Sequence, residues 1–294
     1  MINLCFADYI KAAKAFNAGD YSAALRLVKP SAEKGNADSL LLLGYLYEAG
    51  LGVTQDYVKA MTLYLEAAKK NNVGAMHNIG ALYFQGAGVQ RDYQKAMAWH
   101  QKAAAQGDLK NSQYMIGYFF NHGLGVQRNY AQALSWYSKS AEQNYPDAML
   151  NIGLMYQNGG PGLEKNCSQA LSWYLKAVEH ENSQAMNNIG TLYYYGCGVQ
   201  QSYATAYSWY TRAVKKDNNK DAQTNLARLK IDAGINLFNA LVSGDTTNNG
   251  VINNNSSYEN SNELEWDSRS QKYKSRYEIK QDSYRDTGDY RLNN

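Results

Sequence analysis

The chain has 294 residues, a formal net charge of +3 and 26 tyrosines. A charge that small gives no argument for nucleic acid or an anionic membrane as a partner, and no stretch approaches the ~20 consecutive apolar residues of a membrane-spanning helix. Cys5, Cys167 and Cys197 show neither C-x-x-C nor a metal-ligand spacing, so they read as small packing residues rather than a disulfide framework.

In chain order, the first element is a helix over about residues 5–17. A short "AGD" turn joins it to a second helix within 20–35, where Asp20, Ala24, Val28, Ala32 and Gly35 set a spacing that recurs downstream. The opening residues show no basic segment followed by a long apolar core, so no secretory signal is visible.

From residue 36 one unit of 36 or 37 residues repeats five times. Its marks are an index glycine (Gly44, Gly80, Gly117, Gly153, Gly190), an alanine (Ala60, Ala96, Ala133, Ala170, Ala206) and a large aromatic (Tyr64, Trp99, Trp136, Trp173, Trp209). Each unit predicts two helices. In the first, a small residue lies five before the glycine, an aliphatic one before it and an aromatic three after it. The last two are four apart and share one helix face.

A paired-glycine phrase follows: "GLGV", "GAGV", "GLGV", "GPGL" and "GCGV". It is not a phosphate cradle, because a P-loop needs a preceding strand and a G-K-[ST] ending. Its first glycine ends a helix in a left-handed turn and its second lets the chain cross closely. The fourth copy, "GGPGLEKN", adds a residue and Pro161, which predicts a local irregularity. The second helix then opens on a good N-cap, Asp56, Asp92, Asn129, Asn166 or Ser202. Asn71, Gly107 and Asn144 stand at its exits and tolerate the left-handed conformation.

Beyond the last full copy, Ala222, Asn225, Leu226 and Leu229 continue the first-helix register, with Ala227 in the glycine slot and Lys230 in the tyrosine slot. That predicts a capping helix over 219–243. Residues 246–294 are Asn/Ser-rich and then mixed in charge, which predicts a disordered polar tail. Lys272, Lys274, Arg276 and Lys280 interleave with Tyr273 and Tyr277, but Glu278, Asp282, Asp286 and Asp289 dilute them, so no nucleic acid is expected.

The second copy displays the shared pattern most fully, in Ala75, Gly80, Tyr83, Gly86, Gly88, Val89, Asp92, Lys95, Ala96, Trp99, Lys102, Ala103 and Ala104. This pattern resembles the Sel1-like repeat, and the first unit, with its short turn, is closer to the related tetratricopeptide repeat. The resemblance implies an all-α fold, an α-solenoid of stacked antiparallel helix pairs over 1–245, with units at about 5–35, 36–72, 73–108, 109–145, 146–182 and 183–218. It also implies a concave groove lined by the first helices, and an adaptor role in a bacterial envelope, signalling or host-interaction setting. Some relatives are secreted and disulfide-rich; this chain lacks their paired cysteines.

Stacking buries the recurring positions, so specificity falls to the varying ones, three before, one after and four after the index glycine. Read along the stack these are Leu41, Tyr45 and Glu48; His77, Ala81 and Phe84; Tyr114, Tyr118 and Asn121; Leu150, Leu154 and Gln157; Asn187, Thr191 and Tyr194. They form an apolar, aromatic stripe suited to a partner's peptide or helix. Beside it Asn78, Asn151, Asn188 and Asn225 recur. Their amides suit a peptide backbone, and equally an internal hydrogen bond across the helix pair.

His77, His100, His122 and His180 stand in different copies and form no H-E-x-x-H, and there is no G-x-S-x-G elbow. No catalytic residue, metal or cofactor is therefore expected, and the chain reads as a monomeric, non-enzymatic scaffold for a protein or peptide. Two other readings stand beside it: an envelope-associated protein that binds peptidoglycan or a peptidoglycan enzyme, and a secreted effector that engages host proteins. The compartment is cytoplasmic by default, and periplasmic or secreted if a signal is missing from this chain.

Overall fold

The computed structural model describes residues 2–107, 110–233, 266–267 and 272–273. Among the described residues thirteen helices follow one another: α1 Ile2–Asn17, α2 Tyr21–Glu33, α3 Ala37–Ala49, α4 Tyr57–Ala68, α5 Val73–Gln85, α6 Tyr93–Ala105, α7 Lys110–His122, α8 Tyr130–Ala141, α9 Pro146–Asn158, α10 Cys167–Glu179, α11 Ser183–Tyr195, α12 Tyr203–Asp217 and α13 Lys220–Asp232. Each odd-numbered helix packs on the even one after it, and that one on the next pair. First helices of neighbouring units also meet, α1 with α3 and α11 with α13, so they form one row of an all-α solenoid. This body ends within a compact unit spanning Met1–Asn239. In a second unit, Trp266–Asp267 pairs antiparallel with Lys272–Tyr273, a two-residue ladder where the sequence predicts no regular structure. The rest of the 246–294 tail, and the capping helix beyond Ala233, lie outside the described residues.

Local chemistry sets the helix ends. Asp20, Asp56, Asp92, Asn129 and Asn166 each accept a hydrogen bond from the backbone N–H three residues on, as N-caps do. Ser202 does the same for α12. The first glycine of the paired phrase closes α3, α5 and α11 in a left-handed C-cap. The second glycine has a different task. Gly88, at φ +67°, passes so close to the start of α4 that an added Cβ would fall 2.6 Å from the Tyr57 Cβ. In the fourth copy the cap is Gly159 with extended ψ, and Gly160 exchanges backbone hydrogen bonds with Leu163. This is the irregularity expected around Pro161. At the second-helix exits Asn71, Gly107 and Asn144 adopt positive φ, and so does Glu181, which the sequence did not single out.

The core corrects one alignment. The aromatic that repeats inside the stack is the residue eight after each cap: Tyr64, Tyr137, Tyr174 and Tyr210, all fully buried or nearly so, with His100 in the second copy. Trp99, Trp136 and Trp173 sit one position earlier, beside Leu63 in register, and are only partly buried. Lysine ammonium groups lie over their faces, Lys102 at 4.3 Å, Lys139 at 4.2 Å and Lys176 at 4.0 Å from the ring centroids.

A second correction concerns the cysteines. Cys167 and Cys197 are disulfide-bonded, with Cα atoms 5.5 Å apart. Cys167 occupies the first turn of α10, the slot of Tyr57, Tyr93, Tyr130 and Tyr203 in the other second helices. Cys197 occupies the connector slot that faces it from the next copy. Two positions 30 residues apart in sequence are therefore neighbours across a unit boundary, which spacing within one unit does not reveal.

Candidate functional site

The stripe predicted to bind is built on the odd-numbered helices. The recurring positions behind it are sealed, since Ala75, Ile79, Ile116, Ala148, Ile152, Ala185 and Ile189 have no exposed surface. The stripe itself stays half-open. Leu41, Tyr45, His77, Phe84, Tyr114, Tyr118, Leu150, Leu154 and Tyr194 are all partly exposed, and only Asn187 among the stripe positions is buried.

Its aromatic members run together across unit boundaries. Phe84 meets Tyr118 edge-on with ring centroids 5.9 Å apart, and Tyr118 stacks on His122 at 3.9 Å. Tyr114 lies 6.4 Å from Tyr118 and packs inward against Tyr137 and Tyr145 at 5.5 and 5.2 Å. Burial, helped by the nearby Asp147, pushes the Tyr114 phenol up to about 12. Farther toward the N-terminus, Tyr45 packs edge-on against Phe16 at 5.7 Å.

The buried tyrosines reach up to the stripe's polar members. The Tyr64 hydroxyl donates to the Glu48 carboxylate and the Tyr174 hydroxyl to Gln157, both at 2.5 Å. The Tyr210 and Thr191 hydroxyls lie 3.2 Å apart. In the second copy that arrangement changes. His100 is too short to reach across, the polar member is replaced by Phe84, and both His100 ring nitrogens lack a hydrogen-bond partner. His77 stands beside it, with ring centroids 4.9 Å apart and Nδ1 3.0 Å from the Ser112 hydroxyl. Burial lowers His77 to about 4 and His100 well below the ordinary histidine value, so both rings are neutral at pH 7.

The asparagines beside the stripe find internal partners. Asn151 donates to the Asp147 carbonyl at 2.8 Å and to the Tyr114 hydroxyl at 3.3 Å. Asn188 is buried and accepts from Asn187, while Asn225 donates to Asn187 at 2.9 Å. The Asn78 side chain stands near the Tyr64 hydroxyl. Asn151 and Asn225 thus have internal donor bonds, whereas the Asn188 amide nitrogen is buried without a partner among the described residues.

The register also continues one step past the predicted stripe. In α13 the slot one after the index position is Arg228, and the slot four after it is Ile231, 78% exposed. The sequence reading follows the register to Ala227 and Lys230 but takes this helix as a cap, and so ends the stripe at Tyr194. Among the described residues no group of three or more His, Cys, Asp or Glu side chains is placed to hold a metal, and no helix is long and apolar enough to cross a membrane.

The Sel1 repeat model matches residues 37–72, 73–108, 110–145, 146–182 and 183–218. The fold is similar to that of a Sel1 repeat protein from Oxalobacter formigenes, at 27% identity over 80% of this chain and 95% of that one, with a TM-score of 0.69. It is also similar to c5321, a protective antigen present in uropathogenic Escherichia coli strains displaying an SLR fold. That match has 30% identity and a TM-score of 0.68, and spans 78% of this chain and about half, 49%, of that one. No curated protein matches the chain.

Proposed function

The chain belongs to the Sel1 repeat family, and we propose that its half-exposed stripe captures a peptide or helix of a partner protein. Sel1 repeats are typically protein-interaction scaffolds without catalysis. The observation that carries the finer reading is the contrast within each first helix. The small, aliphatic and glycine positions that recur are sealed in the stack, whereas those that vary, Asn187 excepted, stay partly open and are rich in aromatic rings. Rigid aromatics held by neighbours are good interface anchors, because little side-chain entropy is lost when they are covered. The partner-binding residues are Leu41, Tyr45, His77, Phe84, Tyr114, Tyr118, Leu150, Leu154 and Tyr194. Asn78 and Asn151, partly exposed beside them, and the buried Asn188 belong to the same proposed surface.

A peptide selected from a displayed random library on the full chain tests this. Its binding should weaken about tenfold or more when Tyr118 becomes alanine, the ~1.4 kcal/mol of a modest anchor residue, while the helical circular dichroism is retained. Unchanged affinity in the folded variant rules out the stripe.

The disulfide favours an exported form of this scaffold over a cytoplasmic one. Thiols in the cytosol are kept reduced, and structural disulfides persist in the periplasm and outside the cell. A Cys167–Cys197 bond in protein isolated from its native host under rapid alkylation supports export; free thiols at both positions restore the cytoplasmic reading.

A further inference from the structure

At the C-terminal end of the stripe a cavity of about 140 Å³ opens between α11, α12 and α13, lined by Thr191, Tyr194, Tyr195, Tyr210, Asn225 and Arg228. Its floor is the buried ring of Tyr210. Its rim carries Tyr195, 62% exposed, and Ile231 stands one turn beyond Arg228. The register explains the location. The slot one after the index position reads Tyr45, Ala81, Tyr118, Leu154, Thr191 and then Arg228, so the apolar track ends on a cation.

Among the described residues no ion pair of that cation is seen: the pairs Lys11–Asp8, Lys95–Asp92 and Lys216–Glu181 do not include it. Asp232, one turn along α13, is occupied in accepting from the Tyr194 hydroxyl. Arg228 Nη1 donates to the Tyr195 hydroxyl at 3.4 Å, a long contact that leaves most of the guanidinium free. Because the Tyr195 oxygen accepts there, its own proton remains to be donated. Asn225 donates one of its two amide protons to Asn187. The open cavity thus offers two converging donors, a guanidinium fork and a phenol, beside aromatic walls. A fork of this kind matches a carboxylate through two parallel hydrogen bonds.

We propose that this cavity receives a carboxylate of the bound peptide, from an Asp or Glu side chain or from the C-terminus. The inference rests on the stripe reading and adds a direction to it: apolar side chains lie along α3 to α11, and the acidic group lies at α13. The volume suits the assignment. At about 140 Å³ the open cavity has room for a carboxylate and its aliphatic stem.

The test uses the full chain and the peptide selected from a random library. Three synthetic forms are compared by fluorescence anisotropy: the selected peptide, its C-terminal amide, and the form with each Asp and Glu changed to Asn and Gln. One of the two altered forms should bind at least tenfold more weakly, and which one it is identifies the source of the carboxylate. Against Arg228→Gln the same alteration should cost nothing further, since the cation that reads the charge is gone. Equal affinity for all three forms overturns the proposal, as does an Arg228→Gln protein that still discriminates among them. The peptide-side changes do not depend on the variant's folding. If Tyr118→Ala abolishes binding while the charge changes do nothing, the stripe reading stands and this one falls. If no peptide is enriched, both fall.

Discussion

Tyr174 lies against the bare backbone of Gly153, so close that an ideal Cβ on the glycine would fall 2.4 Å from the ring. The same contact joins Gly44 to Tyr64, Gly117 to Tyr137 and Gly190 to Tyr210. The repeat's index glycine is thus fixed by a ring on the second helix. Gly153→Ala sets two effects in opposition. Alanine is favoured over glycine inside a helix by about 1 kcal/mol, and overpacking a filled core costs about 1–3 kcal/mol. A ring with no exposed surface has no room to withdraw, so the net effect should be a lower melting temperature. Gly153→Ala combined with Tyr174→Leu should recover part of the loss. A rise in melting temperature for the single variant would show that the ring yields easily.

His100 occupies the tyrosine slot of the second copy and has no hydrogen-bond partner. The sign of its pH effect follows from linkage. Both His100 and His77 have folded values below 6.5, so the unfolded chain binds more protons as the pH falls. Stability is full above the unfolded histidine value of about 6.5. It declines as the pH drops toward about 4, the folded value of His77. Thermal melts from pH 7.5 to 4.5 should show this fall. His100→Phe should make it shallower without removing it, because His77 remains. An identical fall in the variant removes His100 from the account and leaves the effect to His77 or to groups elsewhere.

The cross-link between Cys167 and Cys197 closes a loop of 30 residues. Loop-closure entropy for that length stabilises the folded chain by about 3.5 kcal/mol. Reduction, or Cys197→Ser, should lower the melting temperature accordingly. Alkylation of the non-reduced, denatured chain should leave Cys167 and Cys197 unmodified and label both after reduction. Label on both before reduction is incompatible with the bond.

Capping and connectors were legible because they are local. Asp56 bonds a backbone N–H three residues away, and the left-handed Gly50 stands one residue beyond its helix. The aromatic core was misaligned because Trp99, Trp136 and Trp173 are adjacent in sequence to the residues that actually meet the glycine. One step along a helix turns a side chain by about 100°, and composition alone does not say which face is inward. The disulfide escaped notice because its partners belong to consecutive copies, and Arg228 because its helix reads as a cap on which the stripe is not continued. The fold was carried by periodicity, which repeats. The site depends on departures from periodicity, and those have no internal duplicate to confirm them.

The central claim is that partners bind along the first helices, and site-specific photo-crosslinking tests it most directly. A benzophenone amino acid replaces Tyr118 on the stripe in one protein and the exposed Ser135 on α8 in another. Each is irradiated with the library-selected peptide. The expected result is a covalent adduct at position 118, lost on competition with unlabelled peptide, and none at 135. Adducts at 135 with none at 118 would contradict the groove and place binding on the second helices.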